Sequence, residues 1–333
     1  MPCISERAPD RVARDFANAD TVVVIGTGGT IAGTAIDPSD NVGYAAAQLG
    51  AAQLVAAIPA LAAVPLEVEQ LAQVDSKDMS FAIWRALAER VAQQLARPEV
   101  CGVVITHGTD TLEETAYFLQ RVLAPTKPVV LTAAMRPATA LLSDGPQNLL
   151  DAVSVARTGG ACGVLVVLAG KVHGALDVRK VHTYRLDAFD SGDAGVIAHI
   201  EDGRLRQHRA WPQGEALGLA RLPANVATWP RVEVLISHAG VDGLLARALQ
   251  AAGVHGIVVA GTGNGSLHRD LEAALLEAQA AGIAVLRCTR CPYGAVIDAR
   301  VDGVRDGPRV GLPSAGALTP VQARIELMLR AMR

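Results

Sequence analysis

The sequence predicts an α/β protein built as two α/β domains: a larger N-terminal one with a mostly parallel sheet flanked by helices, and a smaller C-terminal parallel one. Three observations point there. Short β-branched apolar runs recur, each closed by a Gly- and Thr-rich loop and followed by helical spacing, which is the strand–loop–helix order of parallel sheets. Half of the residues are apolar but only 3% are aromatic, so the interior is made of small aliphatic side chains. The 333 residues are more than one core usually organises, and residues 211–230 mix Gly, Pro, Trp and charge without periodicity. The expected division is an N-terminal extension at 1–20, an α/β domain at 21–210, a linker at 211–230 and a second α/β domain at 231–333.

The same composition excludes several classes of function. Thirty basic and 33 acidic residues give a net charge of −3 with no basic block, which argues against a nucleic-acid partner. No apolar run approaches the roughly 18 residues of a membrane span, and the best stretch, Leu54 to Leu66, is cut by Pro59 and Pro65. The first residues carry Glu6, Arg7, Asp10, Arg11, Arg14 and Asp15 rather than an apolar leader, so with Met1 as the native start the expected location is cytoplasmic. Five cysteines, an odd number, argue against a disulfide framework, and Cys288-x-x-Cys291 lacks the second pair a zinc site needs.

In chain order, Thr21 to Ile25 reads as a buried parallel strand that stops at Gly26-Thr27-Gly28-Gly29-Thr30. The crevice beyond such a strand end is the usual ligand site of an open α/β sheet. A dinucleotide fingerprint would need a small residue where Ile31 stands, so that reading fails. Phosphate contact, nucleophile and plain tight turn all stay open from this loop alone. The polar segment from Thr34 to Gly43, ending at Tyr44, could be a connector or a lid. A helix is expected over Ala46 to Ile58. A further strand ends at Val74, where Asp75-Ser76-Lys77-Asp78 forms a turn and Ser80 caps a helix from Phe81 to Leu95.

Gly102 to Ile105 repeats the geometry, with the loop Thr106-His107-Gly108-Thr109-Asp110 and a helix from Thr111 to Leu123. Thr111 and Glu114 have the spacing of a capping box. Thr109 and Asp110 then precede a helix N-terminus, which favours negative charge; they either cap that helix or grip a ligand. Val129 to Thr132 is a strand, Asp144 a candidate cap for a helix to about Arg157, and Gly163 to Leu168 another strand. Lys171 to His182 shows weak periodicity. The second domain reads as strands at Val232 to Ile236, Val254 to Ala260 and Ile283 to Cys288, with helices at Leu244 to Ala252 and Leu267 to Ala281. A last helix starts at Thr319-Pro320.

Thr27-Gly28-Gly29-Thr30-Ile31-Ala32 and Ile105-Thr106-His107-Gly108-Thr109-Asp110-Thr111-Leu112 together resemble the two signatures of the bacterial-type L-asparaginase family. The likeness continues through Glu113 to Leu119, Ala134-Met135-Arg136-Pro137, Ser143 to Pro146 and Gly263-Asn264-Gly265, from about Thr21 to the C-terminus. It implies an amidohydrolase that converts L-asparagine to L-aspartate and ammonia without a cofactor. Thr30 would match the nucleophile, Tyr44 the tyrosine that closes over the substrate, and Thr109, Asp110 and Lys180 the second catalytic cluster. Ser76 and Asp110 would bind the substrate α-carboxylate and α-ammonium, with Gly29, Lys77, Ala134 and Asn264 as further substrate contacts. A threonine hydroxyl needs a base or a hydrogen-bond chain to take its proton, which Lys180 and Thr109 could supply; amides around Gly28 and Gly29 are candidate oxyanion donors. The resemblance also implies a homotetramer, a dimer of intimate dimers.

Two departures stand out. Lys77 replaces the Gln or Glu frequent after the serine, and the glutamate that relatives send from a neighbouring subunit falls near Val301, with Asp298 and Asp302 the nearest acids. Both make the ammonium subsite less negative, which suggests an asparaginase with low glutaminase activity. A broad-specificity glutaminase-asparaginase, an amidotransferase subunit of the same fold and a non-catalytic amino-acid-binding protein are the competing readings. A racemase is disfavoured, because Cys101 and Cys288 do not lie in strand-end loops.

Overall fold

Eight strands join into one sheet in the computed structural model, which describes residues 20–298 and 311–332. The first unit opens with β1 (Thr21–Gly28), a short antiparallel pair β2 (Thr34–Ala35) and β3 (Tyr44–Ala45), and α1 (Ala51–Ala56). Alternation follows: β4 (Leu66–Val74), α2 (Phe81–Leu95), β5 (Val100–Thr106), α3 (Leu112–Leu123), β6 (Val129–Thr132), α4 (Gly145–Ala156) and β7 (Val164–Leu168). Then come β8 (Lys171–Gly174), the two-residue pair β9 (Arg179–Lys180) and β10 (Phe189–Asp190), and the hairpin β11 (Ala198–Glu201) and β12 (Arg204–Gln207). The sheet order is β12-β11-β8-β7-β6-β5-β1-β4. It is parallel from β4 to β7 and antiparallel from β8 outward. The second unit holds β13 (Val232–Ile236), α5 (Leu244–Ala251), β14 (Gly256–Gly261), α6 (Arg269–Ala280), β15 (Ala284–Thr289) and α7 (Pro320–Ala331), its three strands parallel.

Both faces of the inner parallel strands β1, β5, β6, β7 and β14 are buried, which is why they read as apolar runs, whereas the edge strands β4 and β13 are partly exposed. Alternate residues of β1 enter different cores. Val23 and Ile25 pack with α2 and α3, whereas Val22 and Val24 pack with α1 and α4. The α2–α3 core continues into the second unit through Trp229, Val258 and Leu327. The tie is also polar: Glu326 of α7 accepts from Arg121 at 2.8 Å and from the Tyr117 hydroxyl at 2.9 Å.

Several local expectations change. The helix expected over Ala46 to Ile58 is confined to Ala51–Ala56. Ala47 adopts φ 55° and gives its N–H to Gly29 O, so the residues before Gly50 serve the glycine turn instead. Ser80 and Thr319 cap α2 and α7 as expected. Thr111 forms no capping box: its hydroxyl donates to Ser76 O at 2.7 Å. Asp144 does not cap α4 with its side chain either; its carboxylate accepts from Met135 N and Arg136 N, both at 3.0 Å. Helix α1 apart, the added elements are the antiparallel edge β8, β11 and β12 and the two-residue strands, where the sequence shows only weak periodicity. Val301 and Asp302 lie outside the described residues, as does the extension before Asp20.

Candidate active site

The C-terminal ends of β1 and β5 stand side by side, Gly26 opposite Thr106, and each runs into a glycine loop. After β1 the chain turns through Gly28 at φ 107° and Gly29 at φ 83°, values open to glycine and strained for other residues. A Cβ on Gly29 would overlap the backbone of Gly108, and one on Gly108 would overlap the Ser76 side chain. The absence of these side chains lets three loops close on each other. Thr27 ties them further, its hydroxyl donating to Thr106 O at 2.9 Å.

Thr30 begins the 3-10 turn Thr30–Ala32 just past this contact and is buried. Its Oγ1 lies 2.7 Å from the Tyr44 hydroxyl. Tyr44 arrives there because β2 and β3 pair antiparallel, Ala35 against Tyr44, folding the intervening loop back on itself. Thr139 fastens that loop from outside, accepting from Ala35 N at 2.8 Å.

On the neighbouring loop Thr109 is buried and Asp110 half-exposed. Lys180 Nζ donates to Thr109 Oγ1 at 2.9 Å and to Asp110 Oδ1 at 2.7 Å. Asp110 Oδ2 is thus available to a cation. The Asp110 N–H donates to Ser76 Oγ at 3.1 Å, so the Ser76 hydroxyl keeps its own proton to offer an anion.

The structure therefore brings Thr30, Tyr44, Ser76, Thr109, Asp110 and Lys180 to adjacent strand ends. The other named residues stand as follows. Gly29 gives its N–H to Val74 O at 2.9 Å, so that amide is not an oxyanion donor; the residue's lack of a side chain is what matters. Lys77 is mostly exposed and pairs with Asp75 and, at 3.5 Å, Asp78. Those carboxylates hold its ammonium above the usual lysine range, Asp75 foremost. Ala134 is buried in the loop beyond β6, next to β5. Asn264 stays on the second unit, its amide closed in both directions on the Ile297 backbone at 2.8 Å. Asp298, one of the two candidate acids for the ammonium, is paired with Arg287 at 2.7 Å.

Two residues of this region were given no role in the sequence reading. His107 is fully buried, with Nδ1 2.7 Å from Gly108 O and Nε2 3.0 Å from Thr115 Oγ1, which accepts from Trp84 Nε1 at 2.9 Å. A neutral ring with its proton on Nδ1 satisfies every partner, and burial pushes the imidazole down to about 4. His107 thereby holds the Gly108 carbonyl and the loop that follows. A polar residue at the end of an apolar run was the signal available. The second is Glu113, whose Oε2 accepts from Lys180 N at 2.8 Å. Cys288, by contrast, is buried in β15 and its thiol is pushed up to about 12, leaving no thiolate for racemase chemistry.

Comparison with known proteins agrees with this geometry. The family model described as "Asparaginase, N-terminal" matches residues 21–213, and "Glutaminase/Asparaginase C-terminal domain" matches residues 231–332. The chain is 36% identical to "L-asparaginase 2" of Escherichia coli (strain K12) over 312 residues, 92% of this chain and 88% of that protein. It is 33% identical to "Glutaminase-asparaginase" of Pseudomonas fluorescens biotype A, over 92% of this chain and 85% of the relative. A crystal structure titled as a probable cytoplasmic L-asparaginase from Campylobacter jejuni superposes with a TM-score of 0.85 at 37% identity, covering 93% of this chain and 94% of that one.

Proposed function

The chain belongs to the asparaginase family, and from that premise we propose that it hydrolyses L-asparagine to L-aspartate and ammonia through an acyl-enzyme on Thr30. The observation that carries the threonine mechanism is the 2.7 Å pairing of a buried Thr30 hydroxyl with Tyr44 beside the loop that holds Lys180. Thr30 Oγ attacks the side-chain carbonyl carbon while its proton leaves along the bond to Tyr44. The C–N bond breaks, the departing nitrogen takes a proton and leaves as ammonia, and water hydrolyses the ester to aspartate. Asp110 Oδ2 holds the substrate ammonium and the Ser76 hydroxyl its α-carboxylate. Lys180 keeps Thr109 and Asp110 in place with its positive charge.

Asparaginase activity is assayed as ammonia release from L-asparagine, with Thr30→Ala as the decisive variant. It is expected to lose on the order of 10³-fold or more in kcat, as enzymes that lose a covalent nucleophile do. Near-normal turnover by that variant would refute the acyl-enzyme, and no turnover by either protein would favour the amino-acid-binding reading. A cytoplasmic location and a homotetramer complete the proposal. The free thiols of Cys101, Cys162, Cys288 and Cys291 support the first. Exposed Ile236, Leu244 and Leu245 on the second unit support a partner surface.

A further inference from the structure

Lys180 reaches the site from a short element. Strand β9 is two residues long and pairs with the two residues of β10, and the adjoining Val181 gives its N–H to Ala188 O at 2.8 Å. Nζ spans two acceptors on a different loop, 2.9 Å and 2.7 Å away. The restraint on the Lys180 amide itself comes from α3. Its second residue, Glu113, accepts the Lys180 backbone N–H at 2.8 Å. The start of one helix thus fixes both ends of the lysine, Thr109 and Asp110 at the ammonium and Glu113 at the amide.

A neutral side chain could accept that hydrogen bond without the penalty of burying a charge. A carboxylate makes the stronger, charge-assisted bond, but only while it is ionised. The groups facing it are Glu114 on its own helix, which opposes ionisation, and Arg179 and Lys180 on β9, which favour it. Arg324 of α7 lies 3.7 Å from Glu114 and draws off part of that opposing charge. Burial dominates and pushes Glu113 up to about 7.

We propose that Glu113 is a positioning residue for catalysis, its carboxylate fixing the backbone of Lys180 so that Nζ stays on Thr109 and Asp110. The inference rests on the proposed reading that turnover needs Lys180 to hold Thr109 and Asp110. Protonation of Glu113 loosens that hold, so kcat falls as pH drops through about 7. Glu113→Gln mimics the neutral form: it keeps an acceptor but loses the charge.

The test is kcat and KM for asparagine across pH in the wild type, Glu113→Gln, Glu113→Ala and Lys180→Met, each checked for a folded circular dichroism spectrum. Glu113→Gln is expected to lose the limb near neutrality and run roughly 3- to 10-fold below the wild-type plateau, with KM within about 2-fold, as for a weakened hydrogen bond. Glu113→Ala is expected to fall about 10²-fold at every pH, the size of effect that a misplacement of about 1 Å produces. If the alanine variant does not fold, the glutamine profile decides alone. A wild-type limb surviving in Glu113→Gln overturns the proposal. Full activity in Lys180→Met overturns it together with the reading of the site, whereas an inactive Lys180→Met beside a wild-type Glu113→Gln profile removes Glu113 alone.

Discussion

Lys77 places a positive charge near a site meant to bind an ammonium, and its two neighbours absorb it. Unit charges about 4 Å apart at an effective dielectric near 20 interact by about 4 kcal/mol, enough to abolish useful binding were the lysine aimed inward. Asp75 and Asp78 hold it outward on the exposed turn. With Lys77 neutralised and Asp298 engaged by Arg287, the proposed reading leaves the substrate ammonium to Asp110. Glutamine anchored there would carry its amide one methylene beyond Thr30, and a 1 Å misplacement can lower a rate about 10²-fold. The expected result is a kcat/KM for asparagine at least about 10-fold above that for glutamine, measured by ammonia release on each. Equal values would return the chain to the broad-specificity reading. Lys180 illustrates how little of such a site is visible residue by residue. An isolated lysine in a weakly periodic stretch has the character of a solvated surface residue, and only the resemblance marked it. The burial of Glu113 and the role of His107 were hidden because an acidic residue in the first turn of a helix and a polar residue at a strand end are ordinary locally.

At the scale of elements, the site is a contact between two glycine turns, and the turns fail together. Gly29→Ala would put a methyl group into the Gly108 backbone and force φ 83° on a residue with a side chain. With ψ at −173°, this backbone conformation is essentially confined to glycine and costs another residue about 1–3 kcal/mol, and the overlap adds to it because the opposing atoms are backbone. The expected outcome is a urea midpoint clearly below wild type and loss of most activity, since Thr30 and Thr109 would be driven apart. A variant with wild-type stability and turnover would mean that the loops do not meet as described. These turns were legible because a Gly- and Thr-rich break in a β-branched run has few other meanings. Strands β1, β5, β6, β7, β14 and β15 were legible for the same reason, being largely buried on both faces, and β13 by its run of apolar residues. The outer strands β8, β11 and β12 were not, because four residues of mixed charge carry too short an alternation to read. The Thr111 cap failed for a tertiary reason: the turn after β4 brings Ser76 O to the hydroxyl.

For the whole molecule, the groups that shape the site also set the pH range over which the fold persists. His107 and His173 are buried and held near 4 against an ordinary 6.5, in both cases chiefly by desolvation. The unfolded chain binds more protons than the folded one between those values, so stability rises with pH there. Each histidine contributes about 3 kcal/mol that is fully present above 6.5 and lost as pH falls toward 4, at 1.36 kcal/mol per unit. Glu113 has the opposite sign. Raised from 4.5 to about 7, it binds its proton more tightly in the fold, so stability falls by about 3 kcal/mol as pH climbs through that interval. Burial raises Glu114 and Asp151 as well, in the same direction. Between 4.5 and 6.5 the two histidines outweigh Glu113, and above 6.5 Glu113 acts without them. From these three groups urea midpoints should peak near 6.5, with stability falling by about 1.4 kcal/mol per pH unit on the acid side and at about the same slope over the short interval up to about 7. Glu113→Gln should remove the decline above 6.5 and steepen the acid limb, separating the carboxyl from the histidines. An acid slope left unchanged by His107→Gln and by His173→Gln would show that these histidines are not held neutral, and with them would go the hydrogen-bond chain from Trp84 that fixes Gly108.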